Sequence, residues 1–536
     1  MLLAATLVLS GCGNTYRPVI SAFSPVGPAS QPYKYAAAVS NPSGVPYTVT
    51  GYSITSNVIT VTLSAAAPNP FSAGESVTFS GFPTSTFLNG QTVTVLSTGL
   101  TTTQFQANFV HANATATETG TVAPTEQGLV TFVDFSGDTV VSTPSIMTNP
   151  SYFAQNNSGN QGYVINATGS LDTFALTNPS ALLTSDITQT TLSSNSNPVT
   201  ISIVTPSNGA SAVFVPESSG SKIAILSGND SPALLQELAV AANPVYVVGA
   251  DQTPRVYALS QGTGGNGVVS AIEAVSATSL SVSATIPVGV KPVYGVMTSD
   301  DRRAFILNQG SGTVSVVNVL NNALDSTTPT ITLPNVVYTG GTSAPNPIWA
   351  DLAPITSELV VLNQGDGTHP GSLSIISIPL CSVNTQVTNP NCNLANPVDA
   401  TGFGQIIASP NVGINPQMVS VLKDGTRAYV VNQRDSTGTC NAGEGSVTVV
   451  SLVSGLVSST ICGVSTLAGT TGANAIPGAV YGHPNTVAAT TGTPTGKVYV
   501  TAPDSQYMTI IYTDTDTVQT HIPLQGLGLR VLVTQP

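Results

Sequence analysis

Few residues in this chain are of the types that act in catalysis or metal binding, and their spacing limits the kinds of site that they could form. The 536 residues include 4 His and 5 Cys. No HxH, HExxH or CxxC spacing occurs, which argues against a metal site built from these residues. Asp514 and Asp516 form a DxD pair but lack the further oxygen ligands of a calcium loop. GxSxG, Walker and dinucleotide motifs are also missing, so no catalytic residue and no cofactor is predicted.

The composition points to an exported all-β protein rather than a nucleic-acid-binding one. Only 7% of residues are charged, against about 25% in ordinary soluble proteins. The net charge of -13 gives no basic footprint for phosphates, so no nucleic-acid partner is expected. Hydrophobic residues make up 41%, and the abundance of Val, Thr, Ser and Ile is typical of β-sheet.

The first residues resemble a bacterial lipoprotein signal. An apolar run leads into Leu9-Ser10-Gly11-Cys12, which is similar to a lipobox, and 1–12 would then be a signal peptide with Cys12 as the lipidated residue. The alternative is an apolar N-terminal strand with a chance Cys. No Lys or Arg precedes the apolar run, which departs from the usual signal-peptide pattern. Residue Gly13, instead of Asp, favours the outer membrane or cell surface. The Pro-rich segment 13–32 suits a tether from the lipid to the body.

A repeat organises most of the remaining chain. A polar residue followed by Pro recurs 46 to 69 residues apart, and each unit that follows holds four short β-branched runs separated by turn residues. The anchors are Asn149-Pro150, Asn197-Pro198, Asn243-Pro244, Lys291-Pro292, Asn346-Pro347, Asn415-Pro416 and His483-Pro484. Four strands in such a period predict a β-propeller blade.

The repeat resembles a known family. The phrases RAFILNQ (303–309), RAYVVNQ (427–433) and GKVYVTA (496–502), each before a strand such as GTVSVVNV (312–319), look like YVTN-type repeats of YncE-like bacterial β-propellers. The resemblance covers roughly 128–522. It implies the propeller fold and leaves the activity open, because such propellers carry many functions.

Closure of the ring is predicted to use both chain ends. Residues 33–39, 129–134 and 139–145 look like second, third and fourth strands, and 529–534 would supply the missing innermost strand. Counting this mixed unit gives eight blades, and omitting it gives the seven that the family resemblance favours. The propeller would comprise 33–45 and 126–536.

The segment 46–125 is predicted to be an inserted small β-barrel or sandwich. It contains alternating Val and Thr runs and the turn pair Asn89-Gly90. A long disordered loop is the alternative, which the alternation disfavours.

Two disulfides are predicted from export and blade topology. Without Cys12 the chain keeps an even number of cysteines, which in an exported protein indicates disulfides. In the propeller strand order, Cys440 and Cys462 lie on the top face of one blade, and Cys381 and Cys392 share one third-to-fourth loop. The topology therefore implies the pairs 381–392 and 440–462.

The channel mouth holds the candidate binding residues. The anchors feed the innermost strands, and most are Asn, such as Asn243, Asn346 and Asn415. Lys291 and His483 break the repeat, which is where a binding function would sit, although a structural role is the commoner fate of a lone His.

Two further repeated positions are predicted to be structural. The Asn-Gln pairs 308–309, 363–364 and 432–433 close second strands and would bond loop backbone groups. The cations that open second strands would be solvated turn charges beside aspartates such as Asp301 or Asp424; they are Arg255, Arg303, Arg427 and Lys497.

Two functions remain open at the level of the sequence. The first is a monomeric, lipid-anchored envelope protein that binds a protein or glycan. The second is a propeller enzyme of lactonase or quinoprotein type, which would need acidic or His residues clustered at one mouth of the channel.

Overall fold

The computed structural model describes residues 35–534, apart from 42–45, 65–70, 72–75, 102, 126, 157, 167, 180–181, 194–195, 205–210, 250–254, 274–279, 381–399, 437, 442, 465–477, 491–495 and 525. These residues form β-strands and two single 3₁₀ turns, Thr86–Leu88 and Thr184–Asp186. No helix within these ranges has the length and apolarity needed to cross a bilayer. The predicted all-β propeller class is confirmed. The signal peptide, Cys12 and the tether lie outside the described residues.

Seven blades follow one another along the chain, each an antiparallel meander that begins at the channel. Blade 1 comprises Pro150–Gln155, Gln161–Asn166, Ser170–Ala175 and Thr188–Thr191. Blade 2 comprises Ser202–Val204, Ala212–Glu217, Lys222–Ser227 and Leu234–Ala239. Blade 3 comprises Pro244–Val248, Arg255–Ser260, Asn266–Glu273 and Ser281–Val290.

Blades 4 to 7 repeat the pattern with small irregularities. Blade 4 comprises Pro292–Met297, Arg303–Asn308, Thr313–Asn318 and a split fourth strand, Ala323–Leu324 with Thr330–Thr332. Blade 5 comprises Pro347–Ala353, Glu358–Asn363, Pro370–Ser377 and Gln405–Ala408, and blade 6 comprises Asn411–Val421, Arg427–Arg434, Ser446–Ser451 and Leu456–Val464. Blade 7 comprises Thr486–Ala489, Lys497–Thr501, Tyr507–Tyr512 and Thr517–Pro523. A short hairpin, Val336–Tyr338 with Gly341–Ser343, precedes blade 5, and Val480–Tyr481 pairs in parallel with the end of blade 6.

The closing blade joins the two ends of the described chain. Leu527–Val533 pairs with Tyr35–Asn41, which pairs with Gln127–Asp134. The short strands Val140–Ser142 and Ser145–Thr148 complete the sheet. The predicted pairing of the C-terminal strand with the N-terminal segment is confirmed, and it covers what would otherwise be two open sheet edges.

The hydrophobic core is divided among the contacts between neighbouring blades. Each of eight clusters draws its buried side chains from two adjacent sheets, beginning with the pair of the closing blade and blade 1 and continuing around the ring. Second and third strands read as continuous apolar runs because both of their faces are covered, as in Arg303–Asn308, where every residue is buried.

The anchor prolines pack on glycines of the preceding blade. A Cβ on Gly267 would lie 2.3 Å from the Pro292 ring, and one on Gly371 would lie 2.5 Å from the Pro416 ring. Gly445 faces Pro484 in the same way. The glycine that opens a third strand is therefore required by the close approach of the next blade.

Residues 47–124 form a separate sheet with its own core. Its strands are Tyr47–Thr55, Val58–Leu63, Ser76–Ser80, Thr92–Thr94, Gln104–Asn108, Ala114–Ala116 and Gly120–Pro124. The bridge between Val95 and Ala107 brings the two end strands of this sheet together, so that it curls around an aromatic interior containing Phe71, Phe79 and Phe105.

Candidate binding site in the central channel

The recurring asparagines at the channel mouth have a backbone explanation. Asn149, Asn197, Asn243, Asn346 and Asn415 have φ between 48° and 55°, and Lys291 has φ 55°. This left-handed conformation is tolerated by Asn better than by most residues. The repeated side chain is therefore selected by the turn that leads into each innermost strand.

The same asparagines bond polar groups of their own blade, and Asn415 also bonds the neighbouring blade. Asn415 donates from Nδ2 to Gln433 Oε1 at 2.6 Å within blade 6, and its Oδ1 accepts from Gln364 Nε2 of blade 5 at 2.8 Å. Asn243 bonds Gln261 in blade 3, and Asn346 donates to the Gly365 carbonyl oxygen. These bonds give the mouth a continuous polar lining.

His483 departs from this pattern in both conformation and partners. Gly482, with φ 79°, takes the left-handed position instead. His483 Nδ1 lies 2.5 Å from Asp504 Oδ2, and Nε2 lies 3.0 Å from the Gly443 carbonyl oxygen. Burial opposes the charged imidazole, but the hydrogen bonds to Asp504 and Gly443, together with nearby negative charge, raise the pKa of His483 above its ordinary value. His483 thus fastens two loops of blades 6 and 7.

One of the two predicted disulfides lies within the described residues. A disulfide joins Cys440 and Cys462, whose Cα atoms are 5.2 Å apart. Cys440 lies in the same loop as Gly443, which His483 contacts. Cys381 and Cys392 lie outside the described residues.

The Asn-Gln pairs are structural in a different way from the one predicted. Asn308, Asn363 and Asn432 are fully buried and donate to hydroxyl groups on the third strand of their own blade. For Asn432 the partner is Thr448 Oγ1 at 2.9 Å. The prediction of loop backbone partners was wrong for these side chains because they point between strands.

The cations that open second strands all form ion pairs, two of them buried, so the prediction of solvated turn charges was wrong. Lys497 is 2% exposed and lies 2.7 Å from Asp138 of the closing blade. Arg303 is 5% exposed and lies 2.9 Å from Asp325. Arg427 reaches Asp516 of blade 7 at 2.6 Å. Asp516 is therefore engaged in a blade-to-blade contact.

A tyrosine two positions further on strengthens this contact. Tyr429 donates to Asp516 Oδ1 at 2.5 Å, and Tyr257 donates to Asn322 Oδ1 at 2.9 Å in the next blade. Asp138, Asn322 and Asp516 all sit at positive φ in third-to-fourth turns. Cation and tyrosine thus bond the third-to-fourth turn of the next blade at two blade contacts, blades 3 and 4 and blades 6 and 7. The end of the propeller that carries the third-to-fourth turns is called the rim below.

The four histidines serve as stacking partners or loop ties. His111, His369 and His521 lie flat against Phe87, Tyr338 and Tyr481, with ring centroids 3.7 to 4.0 Å apart. Within the described ranges, no three His, Cys, Asp or Glu side chains are grouped so as to hold a metal ion.

An aromatic layer that the sequence analysis missed lines the channel beneath the mouth. Tyr152, Tyr246, Tyr294 and Trp349 each stand two residues after an anchor proline, where the innermost strand has a bulge. The Tyr246 and Tyr294 rings lie 4.7 Å apart, and Tyr294 stacks on Trp349 at 4.1 Å. Burial raises the pKa of both stacked tyrosines, so their hydroxyl groups stay protonated.

Two charged residues accompany this layer. The Arg530 guanidinium carbon lies 4.2 Å from the Tyr152 ring centroid and 5.2 Å from that of Trp349. The Asp351 carboxylate accepts the backbone N–H groups of Val421 and Leu352, both at 2.8 Å. Burial raises the pKa of Asp351 to about 6 despite these bonds. The aromatic spacing after the anchors was the signal that could have revealed this layer.

Comparison with known proteins assigns the chain to no family. No protein-family model matches the chain, and no curated protein matches its sequence. Solved structures with similar architecture include AztD from Citrobacter koseri, at 10% identity over 76% of this chain and 94% of that one, with a TM-score of 0.45. Hydrazine synthase from Kuenenia stuttgartiensis matches at 15% identity over 62% and 88%, with a TM-score of 0.41. The dihydro-heme d1 dehydrogenase NirN matches at 11% over 74% and 71%, with a TM-score of 0.45.

Proposed function

We propose that the protein is a YVTN-type propeller lipoprotein of the bacterial envelope. Cys12 anchors it to the outer membrane or cell surface, and the propeller acts as a monomeric binding scaffold for a protein partner. The lactonase- or quinoprotein-like alternative is less favoured, because the described channel presents Asp351 and Arg530 rather than a cluster of acidic or His residues.

An exposed apolar patch on blades 5 and 6 carries this proposal. Val453 lies in the third-to-fourth turn of blade 6 and is 82% exposed; Leu456, at the end of that turn, is 64% exposed. Ile407, in the fourth strand of blade 5, is 53% exposed. The two blades touch here, since a Cβ on Gly455 would lie 2.5 Å from that of Ala408.

The position of the patch favours a protein over a glycan. Turn tips are usually polar, and apolar side chains grouped across two blades mark a contact surface. A partner that contacts both blades would bury all three of these aliphatic side chains in one interface. Glycan recognition would be expected to use aromatic platforms, and the patch consists of aliphatic side chains.

Site-specific photo-crosslinking in intact cells tests the scaffold function. A photoreactive residue at position 453 should yield one discrete protein adduct, and adding Ile407→Lys and Leu456→Lys should abolish it. The matched control is position 110, because Val110 is 88% exposed on the inserted sheet. An adduct at 110 with none at 453 would contradict the proposal.

Membrane fractionation tests the anchor. The full-length chain should sediment with the outer membrane, and Cys12→Ser should release it in soluble form. Wild-type protein that is wholly soluble would overturn the lipid anchor and leave the scaffold proposal to the crosslinking result.

A further inference from the structure

A cavity of about 250 Å³ opens beside the aromatic layer, between the innermost strands of blades 1 to 4 and the closing blade. Its walls include Tyr152, Tyr246, Tyr294, Ser202, Gln155 and Arg530. The cavity therefore combines flat aromatic faces with one cationic group, in the part of the propeller where all the blades converge.

Arg530 is a cation without an anion in this cavity. Among the described side chains, no carboxylate ion-pairs with it, and its Nε is buried without a hydrogen-bond partner. The rim cations Arg303, Arg427 and Lys497 each have a carboxylate within 3 Å. The contrast is sharp in a chain with 25 Asp and Glu, where an acidic partner would be easy to supply.

A second polar group at the cavity is also unsatisfied. Gln155 donates from Nε2 to the Val533 carbonyl oxygen at 2.8 Å, while its Oε1 is buried without a partner. Buried polar atoms in native proteins are normally hydrogen-bonded. A bound molecule that carries a hydrogen-bond donor would satisfy Gln155, and one that carries an oxyanion would satisfy Arg530.

The aromatic rings around Arg530 limit the kind of oxyanion that could bind to it. The rings of Tyr152 and Trp349 lie over the guanidinium group, which leaves its in-plane N–H groups as the free donors. Two parallel N–H groups in one plane match a carboxylate in a bidentate arrangement. The flat ring faces also suit a planar ligand body more than a tetrahedral phosphate.

We propose that this cavity binds a small planar carboxylate, held by Arg530 and the tyrosine faces. The site goes beyond the scaffold function and does not depend on the apolar patch of blades 5 and 6. Without a ligand, Arg530 would act only as a strut between the rings of Tyr152 and Trp349, and that is the competing explanation the experiment must exclude.

Ligand binding at this site can be followed by intrinsic fluorescence without a label, because Trp349 is the one tryptophan of the chain. Titration of the full-length protein with benzoate should change the fluorescence of Trp349 saturably. Benzyl alcohol, a neutral analogue of similar size, should bind at least tenfold more weakly. Inorganic phosphate should also bind more weakly, and phosphate affinity equal to that of benzoate would overturn the assignment to a planar carboxylate.

Substitutions at Arg530 separate ligand binding from a structural strut. Arg530→Met keeps an unbranched side chain in place of the aliphatic part of arginine and should weaken benzoate binding at least tenfold, and Arg530→Lys should give an intermediate loss because it lacks the planar fork. Arg434→Met is the matched control, since Arg434 bonds the Gly367 carbonyl oxygen away from the cavity. Should Arg530→Met fail to fold, the Lys variant decides. A wild-type protein that shows no saturable response to benzoate, or variants that bind it unchanged, would overturn the proposal.

Discussion

The rim and the channel of the propeller treat charge in opposite ways. At the rim, Arg303 and Lys497 are almost fully buried, and each lies within 3 Å of a carboxylate. In the channel, Arg530 stacks on aromatic rings and Asp351 bonds backbone N–H groups. These rim cations are paired with carboxylates, whereas Arg530 has no carboxylate partner among the described side chains.

This difference separates structural groups from candidate functional ones. A buried cation is costly unless it is paired, so each rim carboxylate offsets the cost of burying its cation. An unpaired charge in the channel adds no comparable stability, and its retention is better explained by a ligand. Testing the two regions separately should therefore give different outcomes, in stability for the rim and in binding or pH dependence for the channel.

Removing the channel strand should have the largest effect. Deleting residues 527–536 uncovers Tyr35–Asn41 and removes Val531 and Val533 from the cluster shared with blade 7. We expect the melting temperature to fall by about 10 °C and self-association to rise, because a long unpaired edge is exposed. Calorimetry and light scattering measure both. Deleting only 535–536 is the control, and equal melting of the two truncations would mean that this strand does not hold the ring.

Breaking a rim pair should have the next largest effect. Lys497→Met leaves Asp138 without its cation and should lower the free energy of unfolding by about 3 kcal/mol. Asp138→Asn added to that variant should recover part of the loss. The control is Lys222→Met, because Lys222 pairs with Glu237 but is 42% exposed, and the loss of an exposed pair should have a much smaller effect. Equal losses at the two lysines in denaturant titrations would refute the distinction by burial.

Asp351 should lower the stability of the folded protein as pH rises. Its pKa is raised to about 6 in the folded protein, from an ordinary value of 3.8. The folded state therefore holds the proton more tightly, and stability falls as pH rises from about 4 through about 6. Relative to Asp351→Asn, the wild type should lose about 2 kcal/mol over this range.

A carboxylate with the opposite shift provides the control for Asp351. Hydrogen bonds from His369 and Thr368 lower the pKa of Asp366, so Asp366→Asn should remove stability that is present at neutral pH and lost in acid. Urea titrations at several pH values should show slopes of opposite sign for the two variants, and slopes of the same sign would contradict the environments described here.

The smallest effect is expected at His483, a paired group that is only half-buried. Its pKa is raised, so its contribution is complete below the ordinary value of 6.5 and is lost as pH rises through the shifted value. His483→Gln should cost less than about 1 kcal/mol at pH 5.5 and almost nothing at high pH. Asp504→Asn should reproduce this profile, and a pH-independent loss in both variants would rule out the ionic tie.

The architecture could be predicted from the sequence more completely than the candidate site. Anchor spacing, β-branched runs and the orphan strand near the C-terminus predicted the blades and their closure, because those signals are local. The rim pairs were missed because Arg427 meets Asp516 in the neighbouring blade, 89 residues away. Arg530 was missed because its partners, Tyr152 and Trp349, are brought to it only by the closed ring. The tyrosines at a fixed offset from the anchors were visible in the sequence and were not used.

The seam between Tyr35 and Thr534 also governs how the ring is assembled. These residues exchange two hydrogen bonds, although 499 positions separate them. Every other blade can form from neighbouring segments, whereas the closing blade requires the two ends of the described chain to find each other. The entropic cost of so long a loop grows only logarithmically, but non-local pairing slows folding. Closure of the ring is therefore the one blade-forming step that depends on contacts between segments so distant in the described chain, and on this ground it should be slower than formation of a single blade.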